Sequence, residues 1–237
     1  MRRPSLEIRP DARRSGNTRR PSDPEWENRE ERRFTVRGAA IASTAYSREA
    51  ERRLMQAIFE NCGRRIAKAT YGDATRNALL AAIAANESGG RRRHYRFSFE
   101  NYGRLLGLVE GDASSLNGLT RRQLEKRLRD PAPETESAAL LKKLAGLYGY
   151  TQIPGYYSIV WNAPLETLME EETHFSFAAA LLDQICRQFH LDPETQAAAI
   201  GRCWNSGHAS RRASSALYSW RLVERMKLYR GIEESAT

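Results

Sequence analysis

The run Thr75–Ser88, TRNALLAAIAANES, followed at once by Gly89-Gly90, constrains the fold more than any other stretch of the chain. Its interior is apolar almost without interruption, so it reads as a buried helix, and the paired glycines read as its stop. The last turn raises a problem. Leu80, Ile83, Ala84 and Glu87 fall at i, i+3, i+4 and i+7, so they share one face, and a carboxylate stands on the apolar stripe. A carboxyl placed there loses water, which disfavours its charged form and raises its pKa. A fraction then stays protonated near neutral pH and can act as a general acid.

Most of the remaining sequence is also helical in pattern. Leu54, Met55, Ile58, Phe59, Cys62 and Ile66 repeat at helical spacing from Ser47 onward, with an end near Gly63 or Tyr71-Gly72. Tyr95, Phe97 and Phe99 alternate and suggest one short extended segment before a helical turn over Tyr102 to Leu108. LTRRQLEKRL is a short charged helix between the polar loops GDASSLNG and DPAPETES. AALLKKLA continues as helix until Gly146, Gly149, Pro154 and Gly155 interrupt the backbone. Phe175, Ala178, Leu181, Leu182, Ile185 and Phe189 form another buried stripe. Asp192-Pro193-Glu194 predicts a helix start, with Asp192 as N-cap and Pro193 at the first helical position. That helix runs to Trp204 and stops at Asn205-Ser206-Gly207-His208. A final helix from about Ser214 places Leu217, Trp220, Val223 and Met226 inward. The expected architecture is mainly α with at most a short β segment. Residues 1–36, rich in Arg, Pro and Ser, form a disordered or loosely attached tail, and 37–232 form one helical domain.

Of 237 residues 41% are hydrophobic, enough for a real core, and the net charge is +9, carried mostly by arginine. Such a charge suits a chain that meets an anionic polymer: nucleic acid, anionic lipid or bacterial cell wall. No stretch approaches the roughly 18 apolar residues of a membrane span. The Arg-rich start has no apolar segment behind it, so no secretory signal is expected. Cys62, Cys186 and Cys203 lie far apart without a CxxC pair, and His94, His174, His190 and His208 show no ligand spacing. Neither a metal nor another cofactor is expected, and the chain reads as a monomer.

Three junctions couple a polar group to glycine: Glu87-Ser88, Tyr148-Gly149-Tyr150-Thr151-Gln152-Ile153, and Trp204-Asn205-Ser206-Gly207. A cleft built from such ends holds one acid, several amides and hydroxyls, and aromatic rings. That is the chemistry of a carbohydrate site, in which rings pack on sugar C–H faces and amides bond hydroxyl and acetamido groups.

These three motifs, in this order, resemble those of the soluble lytic transglycosylase and goose-type lysozyme superfamily, which run Glu-Ser, Gly-Leu-Met-Gln and Ala-Tyr-Asn. ESGG followed by RFSFENYGRL is also similar to phage N-acetylmuramidase domains. The resemblance covers residues 75–230. It implies a lysozyme-like two-lobed helical domain that cleaves peptidoglycan strands at the β-1,4 bond between N-acetylmuramic acid and N-acetylglucosamine. Carried over by position, Glu87 is the catalytic acid and Ser88 its support, Gln152 the cleft glutamine, and Asn205 the asparagine of the third motif. Trp204 stands where the family has tyrosine, and Tyr150-Thr151 where it has Leu-Met. Tyr150, Tyr156 and Trp204 join Ser88, Gln152 and Asn205 as expected substrate contacts. Glu100, and after it Asp112, are the candidates for a second acid. The resemblance further implies a phage-type endolysin, held in the cytoplasm before release and acting at the cell wall. The rival reading is a basic, non-catalytic nucleic-acid-binding protein using Arg211, Arg212, Arg221, Arg225 and Arg230 of the last helix.

Overall fold

Helix α1 (Arg48–Ala69) starts where the Ser47 hydroxyl accepts from the Ala50 amide at 3.3 Å. The structure is a computed structural model that describes residues 47–129, 136–207 and 213–236. The expected tail, residues 1–36, lies outside the described residues. A turn with positive φ at Tyr71 and Gly72 leads into α2 (Ala74–Ser88), whose N-cap is Asp73, with Oδ1 accepting from the Arg76 amide at 2.9 Å. Every residue of α2 from Asn77 to Ala85 is buried. Leu79, Leu80 and Ile83 are completely covered, each worth roughly 2 kcal/mol of transfer free energy. Gly89 and Gly90 then adopt left-handed φ of 63° and 71° and donate back to the Ala85 and Ala84 carbonyls, which ends the helix at the expected place.

The chain next forms β1 (Tyr95–Phe97), α3 (Phe99–Glu110), a two-stranded hairpin of β2 (Ser115–Leu116) and β3 (Leu119–Thr120), α4 (Arg121–Arg129) and α5 (Ser137–Ala145). Strands β4 (Gly146–Tyr148) and β5 (Ile153–Pro154) join β1 in an antiparallel sheet of order β1-β4-β5, with Arg96 opposite Leu147 and Tyr148 opposite Ile153. After the short α6 (Tyr157–Val160) and a 3-10 turn over Leu165–Met169 come α7 (Glu171–Phe189), α8 (Ala197–Ser206) and α9 (Ala213–Ala236). Helices α1, α7 and α9 pack around α2, α8 lies against α9, and α3, α4 and α5 pack on one another. The described residues are mainly helical, and none of their helices is long and apolar enough to cross a membrane.

Three details differ from the sequence reading. Among the described residues five short strands are present rather than one extended segment, because strands of two or three residues are too brief to show alternation. Helix α8 starts at Ala197, not at Pro193. The Asp192 side chain instead closes the preceding turn, accepting from the Glu194 amide at 3.1 Å and the Thr195 hydroxyl at 2.7 Å. On α9 the buried face is Leu222, Met226, Tyr229 and Ile232, while Trp220 is exposed.

Candidate active site

The end of α2 opens into a cleft of about 440 Å³ lined by Glu87, by Arg96, Phe97 and Phe99 of the β1–α3 wall, by Gln152, and by Trp204 and Asn205 at the end of α8. Glu87 is partly covered, and its Oε1 accepts a 2.8 Å hydrogen bond from the hydroxyl of Tyr218 on α9. Loss of water pushes its carboxyl up to about 7. The Tyr218 bond and, more weakly, the Arg96 charge hold it from rising further. Burial and the Glu87 charge together push the Tyr218 phenol well above its ordinary value, so it stays a donor.

The turn that carries Glu87 is clamped from behind. Asn86 Nδ2 donates to the Tyr218 carbonyl at 3.1 Å, and Asn86 Oδ1 accepts from Arg225 Nη1 at 2.6 Å. Arg225 in turn forks onto both Glu51 carboxylate oxygens of α1 at 2.7 and 3.0 Å. Three helices thus fix the position of one carboxyl. Sequence motifs did not reveal Tyr218 or Arg225. The available signal was that Tyr218, Leu222, Arg225 and Tyr229 fall at i, i+4, i+7 and i+11.

On the facing side the turn between β4 and β5 presents Gln152 in a left-handed backbone, φ 54°. Its Nε2 donates to the carbonyls of Gly149 at 2.9 Å and His94 at 3.1 Å, while no group among the described residues donates to its buried Oε1. His174 of α7 shapes this turn from below. Its Nε2 accepts from the Thr151 amide at 3.1 Å and its Nδ1 donates to the Leu168 carbonyl at 2.8 Å, which assigns the tautomer. Burial holds the imidazole down at about 4, so it is neutral. The ring also explains Gly149: with φ 71°, any Cβ there would sit 2.5 Å from His174.

Six expected site residues reach the cleft and two do not. Trp204 is fixed by Nε1 donating to the Thr151 carbonyl at 3.2 Å, and Asn205 beside it is exposed. Tyr156 lines the floor, its hydroxyl accepting from Asn117 Nδ2 at 2.8 Å. Glu100 lies on the α3 wall, exposed and paired with Arg104 at 2.6 Å. Ser88, by contrast, is buried and donates to the Ala84 carbonyl at 3.1 Å, a helix-internal bond that turns its hydroxyl away from any ligand. Tyr150 points into the core, its ring stacked on Phe175 at 5.2 Å. Tyr150 and Gln152 both lie in the tight turn between β4 and β5, outside the strands, so period-two alternation does not apply, and the left-handed backbone at Gln152 redirects the chain between them. Asp112 is exposed and does not line the cleft.

Of the basic residues on the last helix, Arg225 is buried in its pair with Glu51, and Arg230 meets Glu194 at 3.2 Å. Arg211 and Arg212 lie outside the described residues, as does His208. Among the described residues no three His, Cys, Asp or Glu side chains are grouped to hold a metal. What the cleft assembles is a proton donor of near-neutral pKa, amides facing it across the opening, and aromatic walls. Compared with known families, curated proteins and solved structures, the chain matches no family model, no curated sequence and no solved fold.

Proposed function

We propose that this chain cleaves the glycan strand of bacterial peptidoglycan at the β-1,4 bond between N-acetylmuramic acid and N-acetylglucosamine, with Glu87 as general acid and then base. The observation that carries the reading is the Glu87 carboxyl itself, desolvated to a pKa of about 7 and facing the same cleft as Gln152, Trp204 and Asn205. Protonated Glu87 gives its proton to the bridging oxygen as the glycosidic bond breaks. The substrate's own N-acetyl group stabilises the developing positive charge. Glu87, now a carboxylate, takes a proton from the sugar's C6 hydroxyl, closing a 1,6-anhydro ring, or from water, giving a reducing end. Gln152 and Asn205 hold acetamido and hydroxyl groups, while Tyr156 and Trp204 bound the sugar plane. Glu100, exposed in the same cleft and engaged by Arg104, is read as a further substrate contact. The frame we propose is the two-lobed lysozyme-like arrangement, and the setting a phage-type endolysin.

The test is clearing of a peptidoglycan suspension by wild type and by Glu87→Gln. Loss of the general acid lowers the rate by at least about 10²-fold. Equal clearing by the two proteins, or no clearing by either alongside salt-dependent retardation of DNA, overturns the reading. Mass spectrometry of released fragments then separates the outcomes, anhydro ends marking a transglycosylase and reducing ends a muramidase.

A further inference from the structure

The β1–α3 wall carries two groups that its own fold does not use. Glu100 and Arg104 satisfy each other across one helical turn at 2.6 Å. The Arg96 side chain, also in the cleft, makes no ion pair or hydrogen bond with the described residues, although its charge is felt at Glu87. It is exposed, on β1, opposite Leu147. Three positions on, Phe99 is 84% exposed yet fixed, its ring edge-on to Phe97 at 4.9 Å and 87°, and Phe97 rests in turn on Tyr102 at 5.8 Å. An aromatic ring held in place but uncovered is a flat face for another apolar surface, such as the C–H side of a pyranose. A guanidinium without a partner in a concave wall is a planar fork with the spacing of a carboxylate. A neutral N-acetylglucosamine unit answers the ring alone. A sugar bearing a carboxylate answers both.

Resting on the glycan-cleaving reading above, we propose that Arg96 and Phe99 form a subsite for a muramic-acid-type sugar whose lactyl carboxylate is free. In intact peptidoglycan that carboxyl is tied up as an amide to the stem peptide and carries no charge for Arg96. The charged form arises when water cleaves the amide, leaving a carboxylate on the sugar and an ammonium on the peptide. This subsite therefore favours peptide-free stretches of glycan over peptide-bearing ones, and the reaction that supplies them is amide hydrolysis.

The experiment measures binding by the full chain carrying Glu87→Gln, which mimics the protonated acid and does not turn the ligand over. Three oligosaccharides of equal length are titrated calorimetrically: peptide-free alternating N-acetylglucosamine and N-acetylmuramic acid, the same strand with its stem peptides, and neutral N-acetylglucosamine oligomer. The peptide-free strand binds at least about tenfold tighter than either other ligand, and added salt narrows the gap. Adding Arg96→Gln removes the preference, Arg96→Lys keeps part of it, and Phe99→Ala weakens all three ligands alike. Unchanged melting temperatures of the variants show that the fold is intact. Equal binding of the three ligands, binding of none, or a preference that survives Arg96→Gln overturns the proposal. So does equal, Arg96-dependent binding of the peptide-bearing strand, which would assign the arginine to a stem-peptide carboxylate. Wild-type digestion of glycan strands stripped of their stem peptides by amide hydrolysis is scored separately: fragments released without this binding preference sink the subsite alone, and the preference without fragments sinks the cleavage.

Discussion

Two groups work on the Glu87 proton in opposite senses: the apolar helix end favours the neutral acid, and the Tyr218 hydroxyl favours the carboxylate. Tyr218→Phe removes only the second. The Glu87 pKa then rises further, so the alkaline limb of the pH–rate profile moves to higher pH, with a modest loss in kcat as the carboxyl gains freedom. The pH dependence of kcat/KM in the two proteins checks this. A shift to lower pH would mean that the hydroxyl does not stabilise the charged form. The position of the Glu87 carboxyl was legible in the sequence, because its place on the α2 stripe and the two glycines after it are local features. Tyr218 was not legible, since it reaches Glu87 from 131 positions away. Ser88 shows the opposite limit. A motif supplied its identity, but whether a helix-end serine faces a ligand or its own backbone depends on a rotamer, and here the hydroxyl goes to the Ala84 carbonyl.

Helices were readable where the apolar positions allow one answer, as in α2, covered on every side, and α7, apolar on one, and the buried face was misread where two stripes compete. Helix α9 carries Leu217, Trp220 and Val223 on one side and Leu222, Met226, Tyr229 and Ile232 on another, so periodicity offers two answers. Packing against α2 selects the second and, with it, the Arg225 clamp. Arg225→Leu leaves Glu51 without its partner and the Asn86 amide oxygen unmet. We expect a loss of about 3–5 kcal/mol in urea unfolding, as for one-sided removal of a covered ion pair. A loss under about 1 kcal/mol would reduce the pair to an ordinary surface contact. The turn between β4 and β5 is equally exacting. Gly149→Ala forces a Cβ onto the His174 ring and keeps a left-handed φ, so it should lower stability by roughly 1–3 kcal/mol. It should also displace Gln152, weakening oligosaccharide binding even where the protein remains folded.

Two desolvated groups, Glu87 in the cleft and His174 beneath the β4–β5 turn, tie stability to pH with opposite signs. Glu87 is raised from 4.5 to about 7, so between those values the folded state holds a proton that the unfolded state has released, and stability falls as pH rises. His174 is lowered from 6.5 to about 4, so over that interval the unfolded state binds the extra proton and stability rises with pH. Each contributes about 3 kcal/mol at full extent, and from about pH 4.5 to 6.5 they offset each other. Glu87→Gln leaves only the histidine: its melting temperature should drop on acidification below pH 6.5 more steeply than that of wild type, and should exceed wild type above pH 7. His174→Gln should show the reverse slope. Parallel melting curves for all three proteins would remove both assignments. The placement of α2 has a further consequence. Helices α1, α7 and α9 pack around it, so the acid rides on a helix held from several sides, whereas the Phe99 side chain stands largely uncovered at the start of α3. Substitutions at the exposed Phe99 position should therefore be tolerated by the fold, whereas those along the covered α2 should not, so sequence change has an open route on one wall and a closed one on the other.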